Sequence, residues 1–151
     1  MMTIYSGDTL PKIPVAVQKK CANSMIRVGL CDDHPEMRVA LRLLLTLSEN
    51  MELVCEASNG QEAVDCVKRL QPDVLVMDIH MPELDGFEAT QQIIDLAVPT
   101  RVILISTDIG KPVASHSAAV GAQGFIPKDN LAMLLLSAIE AVYGGETFFM
   151  E

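Results

Sequence analysis

Five short apolar runs, each followed by a stretch with helical spacing, constrain this chain more than any other feature. They are "MIRVGLC" (25–31), "MELVCEA" (51–57), "DVLVMDI" (73–79), "RVILIST" (101–107) and "GAQGFIPK" (121–128). Runs this short, apolar at nearly every position, suit strands buried on both faces. The segments between them, from "EMRVALRLLLTLSEN" to "NLAMLLLSAIEAVYGG", space their apolar residues three and four apart, as helices lying on a sheet do. This alternation predicts an α/β fold, an open parallel sheet covered on both sides. Pro35 suits the first turn of the first helix, and Gly144–Gly145 closes the last. The fourth helix, Lys111 to Val120, is rich in Ala and Ser and reads as the weakest.

Ligands of such sheets bind beyond the carboxyl ends of the strands. The first run delivers Asp32 and Asp33 there, the third Asp78, the fourth Ser106 and Thr107, and the fifth Lys128. Packed carboxylates repel: at an effective dielectric near 20, a pair about 4 Å apart costs about 4 kcal/mol. A divalent cation relieves that, and an all-oxygen donor set completed by water suits Mg²⁺ better than zinc. Lys128 adds a compact positive charge that can hold a carboxylate or phosphate oxygen. A cation, an ammonium and a hydroxyl around an aspartate are what phosphoryl transfer to a carboxylate demands.

The motifs "CDDHPEMR", "VLVMDIHMPELDGFEA", "ILIST" and "GAQGFIPKD", in this order at these strand ends, resemble a response-regulator receiver domain of the CheY-like kind. "DDHPEMRVALRLLL" and "AIEAVYGGETFF" are most similar to the NarL/FixJ class, whose members join a receiver to a LuxR-type DNA-binding domain. The resemblance implies a flavodoxin-like (βα)5 three-layer sandwich with strands ordered 2-1-3-4-5. It implies that Asp78 accepts phosphate from a histidine kinase. Asp33 would ligate Mg²⁺ directly, with Asp32 holding the ion or its water and the His80 backbone carbonyl completing the protein ligands. Ser106 would bond the phosphoryl group, Lys128 would pair with one of its oxygens, and Phe125 would be the switching aromatic. Without the resemblance, Phe125 reads as core, His34 as a cap-region side chain, and His80 and His116 as surface.

Two helices carry apolar side chains that do not fit their inward faces. Leu131, Leu134, Leu135, Ala138, Ile139 and Val142 share one face of the last helix, leaving Met133 and Leu136 outside. In the first helix Met37, Ala40, Leu41 and Leu44 face inward while Val39 and Leu43 do not. An interface, giving a homodimer, is the expectation.

A net charge of −9 opposes a polyanion, so DNA contact is expected only through an effector domain absent from this chain. Cys21, Cys31, Cys55 and Cys66 form no CxxC or metal spacing, and those in apolar stretches read as small buried hydrophobes. No apolar run spans a bilayer and the N-terminus lacks a signal-peptide layout, so the expectation is cytoplasmic, without membrane contact. Residues 1–24 read as a flexible extension, 25–145 as the receiver, and 146–151 as the start of a linker. Four rivals stand beside this reading. A standalone receiver would act through protein contacts, and a pseudo-receiver would bind without phosphate. An aspartate-nucleophile phosphatase wants a second Asp two residues after the first, where this chain has His80. A dinucleotide-binding fold lacks its glycine fingerprint, and the chain is not expected to be an enzyme beyond its own phosphoryl transfer.

Overall fold

The computed structural model describes residues 2–4 and 25–151. Among these, seven strands form one sheet: β1 (Thr3–Ile4), β2 (Ile26–Cys31), β3 (Met51–Ala57), β4 (Val74–Asp78), β5 (Arg101–Ser106), β6 (Gly124–Pro127) and β7 (Phe148–Phe149). Their spatial order is β1-β3-β2-β4-β5-β6-β7. The five predicted strands are β2 to β6, and their order is the expected 2-1-3-4-5. They are parallel, as is β7 on β6; β1 pairs antiparallel with β3.

Among the described residues, five helices cover the sheet: α1 (Pro35–Leu45), α2 (Gly60–Leu70), α3 (Gly86–Asp95), α4 (Lys111–Ala119) and α5 (Leu131–Tyr143). Alternating strand residues feed two apolar layers. Val74, Val76, Ile103, Ile105 and Ile126 pack with Leu41 and Leu45 of α1 and Leu135, Ile139 and Val142 of α5. Leu75, Met77, Leu104 and Phe125 pack with Val64 and Val67 of α2, Ile93 of α3 and Ala114 of α4. Every residue of β4 is buried, which accounts for its unbroken apolar sequence. Helix α4 buries only Ala114 and Ser117 and begins at Gly110 without a side-chain cap, in line with its weak sequence signal.

Four expectations need correction. Residues 148–149, expected within the start of a linker, pair on the sheet edge as β7, where the Phe148 and Met150 N–H groups donate to Gln123 and Phe125. An apolar pair this short carries no periodicity from which a strand can be read. Thr3–Ile4, inside the expected flexible extension, add the antiparallel edge strand, while residues 5–24 and Met1 lie outside the described residues. Cys55 and Cys66 are buried as expected but are joined in a disulfide between β3 and α2, leaving Cys31 buried and free. Their separation, across a strand and a helix, matches no motif. Among the outward side chains, Leu136 is half-buried against the α1–α5 layer and not exposed, and Ala40 is exposed and not inward. Val39, Leu43 and Met133 are exposed as expected.

Candidate functional site

The site is built at the carboxyl end of the sheet, where β2, β4, β5 and β6 stop together. Asp32 follows β2 directly, and its N–H donates to Ala57 at the end of β3. It is fully buried. His34 is the N-cap of α1, with Pro35 in the first turn, and its own N–H donates to Asp32 Oδ1 at 2.9 Å. Arg38, one turn into α1, donates to the Asp32 carbonyl at 2.7 Å. The Asp-Asp-His-Pro turn is thus fastened from both sides, and it holds Asp33 beside Asp32.

Asp78 ends β4 and is 2% exposed. The chain then folds back: Ile79 N–H donates to Ile105, and Gly86 N–H donates to the Ile79 carbonyl at 2.8 Å. Gly86 is required there, because a Cβ would run into the Asp78 carbonyl and the Ile79 Cα. Asp85 then caps α3 in a reciprocal box with Glu88. So "ELDG" does more than turn the chain; it presses a helix start against the strand end that carries Asp78.

Lys128, at the end of β6, reaches both acids. Its Nζ lies 2.9 Å from Asp32 Oδ2 and 3.3 Å from Asp78 Oδ2. Ser106 ends β5, one step beyond the register partner of Asp78; it is fully buried, and its Oγ accepts the Asp108 N–H at 3.0 Å. Donor atoms of Asp32, Asp33, His34 and Asp78 all lie within 4.8 Å of one another. This is a cluster of a size that can hold a metal ion. Two of its buried oxygens have only charged partners, each within an ion pair. Asp32 Oδ2 has the Lys128 ammonium nearby, and Asp33 Oδ1 has His34 Nδ1 at 3.1 Å. Three carboxylates thus share one ammonium and one imidazole, a deficit of positive charge that a bound cation would relieve.

The electrostatics follow from this crowding. Burial, and then the neighbouring Asp32, push the Asp78 carboxyl above the usual carboxylate range, against the pull of Lys128. Burial alone would lower Lys128, but its bonds and charge pairing with Asp32 and Asp78 hold the ammonium above its usual value. The His34 imidazole is raised by its bond to Asp32 and by the charge of Asp33.

The predicted residues therefore divide. Asp32, Asp33, Asp78 and Lys128 are brought together, with Ser106 at the neighbouring strand end. Phe125 is fully buried in β6, flanked by Leu104 and Phe149 in the sheet register. The His80 N–H donates to Asp78 Oδ1 at 3.3 Å, while its ring pairs with Asp108 at 2.6 Å on the exposed side. That pair borders a cleft of about 200 Å³ that also takes in Phe87 and His116, whose rings stack 4.0 Å apart. From sequence, His34 reads as a cap-region side chain. It occupies the N-cap position of α1 without a side-chain capping bond, and its ring joins the acidic cluster. The signal was its place in the same turn as two carboxylates.

Comparison with known proteins agrees with the geometry. The chain is 32% identical over 124 residues to a Bacillus subtilis protein described as the uncharacterized transcriptional regulatory protein YxjL, covering 82% of this chain and 57% of that one. The chain spans little more than half the length of such curated relatives. The signal receiver domain of the response regulator NarL from Mycobacterium tuberculosis superposes with a TM-score of 0.77 at 32% identity, covering 81% of this chain and 98% of that one. The response regulator domain of Thermotoga maritima CheB gives 0.74 at 36% identity, covering 80% and 97%. The family model described as the response regulator receiver domain matches residues 28–140. With that match spanning β2 through most of α5, this chain belongs to the response regulator receiver domain family.

Proposed function

We propose that this chain is the phosphorylation-activated receiver of a two-component response regulator, with Asp78 as the phosphoacceptor. The observation that carries the reading is Lys128 Nζ placed between Asp32 and Asp78, 2.9 and 3.3 Å from their oxygens, at a buried strand end. An Asp78 oxygen attacks the phosphorus of a phosphohistidine on a histidine kinase. The P–N bond breaks, the imidazole leaves, and an acyl phosphate forms. Lys128 then pairs with a phosphoryl oxygen in place of Asp78, and the Ser106 hydroxyl donates to another. The acidic oxygens of Asp32, Asp33 and Asp78, with the His80 backbone carbonyl, suit Mg²⁺, an oxygen-seeking ion that keeps several waters. When bound, Mg²⁺ offsets the negative charge that the incoming phosphoryl group brings to the cleft.

The output would run through β6. Drawing Ser106 toward the phosphoryl group changes the space beside Phe125, and the weakly held α4 gives a small barrier to repacking. Exposed Val39 and Leu43 on α1 and Met133 on α5, helices that touch each other, supply a surface for a homodimer, with half-buried Leu136 at its margin. Relatives named as transcriptional regulators favour DNA control through a LuxR-type domain outside this chain over a standalone receiver. A cytoplasmic place fits that role, and among the described residues no helix is long and apolar enough to cross a membrane.

The test is chemical. With Mg²⁺ and acetyl phosphate, the wild type takes up a hydroxylamine-labile phosphoryl group, detected by intact mass, and Asp78→Asn takes up none. Label persisting in Asp78→Asn would sink the assignment.

A further inference from the structure

We infer that Arg38 is a positioning residue for the metal-binding cleft: its grip on the Asp32 carbonyl sets the direction in which Asp33 meets a bound Mg²⁺. The inference rests on the reading above, in which Asp33 ligates the ion, and it adds a side chain that touches neither ion nor phosphoryl group.

The peptide between Asp32 and Asp33 is a rigid plane, so whatever fixes the Asp32 carbonyl also fixes how the chain enters Asp33. Arg38 Nη1 donates to that carbonyl at 2.7 Å. The other side of Asp32 is tied as well, because its N–H donates to the Ala57 carbonyl at 3.2 Å. Ala57 follows Glu56, and the Glu56 carboxylate faces the same arginine, with Oε1 3.7 Å from Arg38 Nε. Asp32 is thus fastened through both of its peptide groups to the end of β3, once directly and once by way of Arg38. The Arg38 N–H, donating to the His34 carbonyl at 3.2 Å, anchors the arginine itself in the first turn of α1.

Burial makes this bond matter. Asp32 is fully buried, and the Arg38 and Glu56 side chains are 20% and 5% exposed. A buried carbonyl deprived of its donor must turn to find another. Rotation of this peptide would swing Asp33 away from Asp32 and Asp78, whose donor atoms lie within 4.8 Å of its own. Arg42 supplies the contrast, for it meets the same Glu56 carboxylate at 2.6 Å from one turn farther along α1. The guanidinium fork lets Arg38 serve carbonyl and carboxylate at once, which the point charge of a lysine cannot do.

Calorimetric titration with Mg²⁺ tests this on wild type, Arg38→Met, Arg38→Lys, Arg42→Met and Asp33→Asn, each checked for folding by urea unfolding in metal-free buffer. The Mg²⁺ dissociation constant should rise about tenfold or more in Arg38→Met. It should keep its wild-type value in Arg42→Met, although that change also takes a guanidinium from Glu56. Arg38→Lys keeps a cation beside Glu56, which guards against loss of the fold, and should still bind Mg²⁺ more weakly than the wild type. In labelling by acetyl phosphate, the Mg²⁺ concentration giving half the maximal rate should rise with the dissociation constant in the Arg38 variants, while the rate at saturating Mg²⁺ is kept. Suppose Asp33→Asn abolishes binding, but every folded Arg38 variant binds as the wild type does, or Arg42→Met weakens binding as much as Arg38→Met. Arg38 then serves only the fold, and this inference alone is overturned. If the wild type takes up no Mg²⁺, or Asp33→Asn binds it equally well, the metal reading fails and the inference with it.

Discussion

Glu56 and Asp78 are both carboxylates buried at this sheet, 4% and 2% exposed, yet their surroundings differ in sign. Glu56, on β3, meets two guanidinium groups: Arg42 Nη1 donates to Oε2 at 2.6 Å, and Arg38 Nε lies 3.7 Å from Oε1. Asp78 shares one ammonium with Asp32 and has Asp33 close by. Arg38 touches both regions, but it gives the acidic cleft a bond to the Asp32 carbonyl and not a carboxylate partner. A buried charge matched by countercharge is closed to ligands. One left in deficit invites a cation and, beside it, chemistry. The comparison teaches that burial of an acid says little until its partners are counted.

The largest expected effect comes from opening the closed site. Arg42→Met leaves Glu56 with a weaker complement. It should cost about 2–3 kcal/mol by urea unfolding, below the roughly 3–5 usual for one partner of a fully buried pair because Arg38 stays in reach. Added Mg²⁺ should restore none of it. Restoration would mean the two acidic regions act as one. The next effect fills the open site. Mg²⁺ at about a hundred times its dissociation constant should stabilise the wild type by about 2.7 kcal/mol, and Asp33→Asn should lose nearly all of that. Thermal unfolding with and without chelator reads the difference, and an equal gain in Asp33→Asn would place the ion elsewhere.

The contrast between these regions was only half legible in the sequence. Asp32, Asp33, Asp78 and Lys128 could be placed because each follows a run of apolar residues, and strand ends of a parallel sheet converge whatever the loops do. Glu56 sits inside such a run, and Arg38 and Arg42 lie a turn apart on α1, so nothing local announced their meeting. The Cys55–Cys66 bond was hidden for the same reason: it depends on how α2 lies over β3, not on a motif. The edges were least legible. β1 and β7 are two-residue pairings whose backbone bonds, not side-chain periodicity, define them. Faces of helices were readable to about one position, which is why Leu136 and Ala40 fell on the wrong side of the line while Leu43 and Met133 did not.

The smallest effect concerns the charge deficit itself. If Asp78 is held in a cleft with too little countercharge, its carboxylate weakens the metal-free fold. Asp78→Asn should then stabilise that form by about 1 kcal/mol at neutral pH, the usual scale of a point change. Asn keeps an oxygen for the His80 N–H, and Lys128 keeps Asp32, so little else is lost. The sign of the pH dependence follows from linkage. A carboxyl whose pKa is raised on folding binds its proton more tightly in the native state. Its contribution is therefore most favourable in acid and declines as pH rises from the usual carboxylate value through the raised one. Metal-free Asp78→Asn should lack that decline, so the gap between variant and wild type widens across this window and then levels off. A gap that stays constant, or closes, as pH rises would mean Asp78 is adequately paired. The distinction between the closed site at Glu56 and the open one at Asp78 would then have to rest on the metal alone.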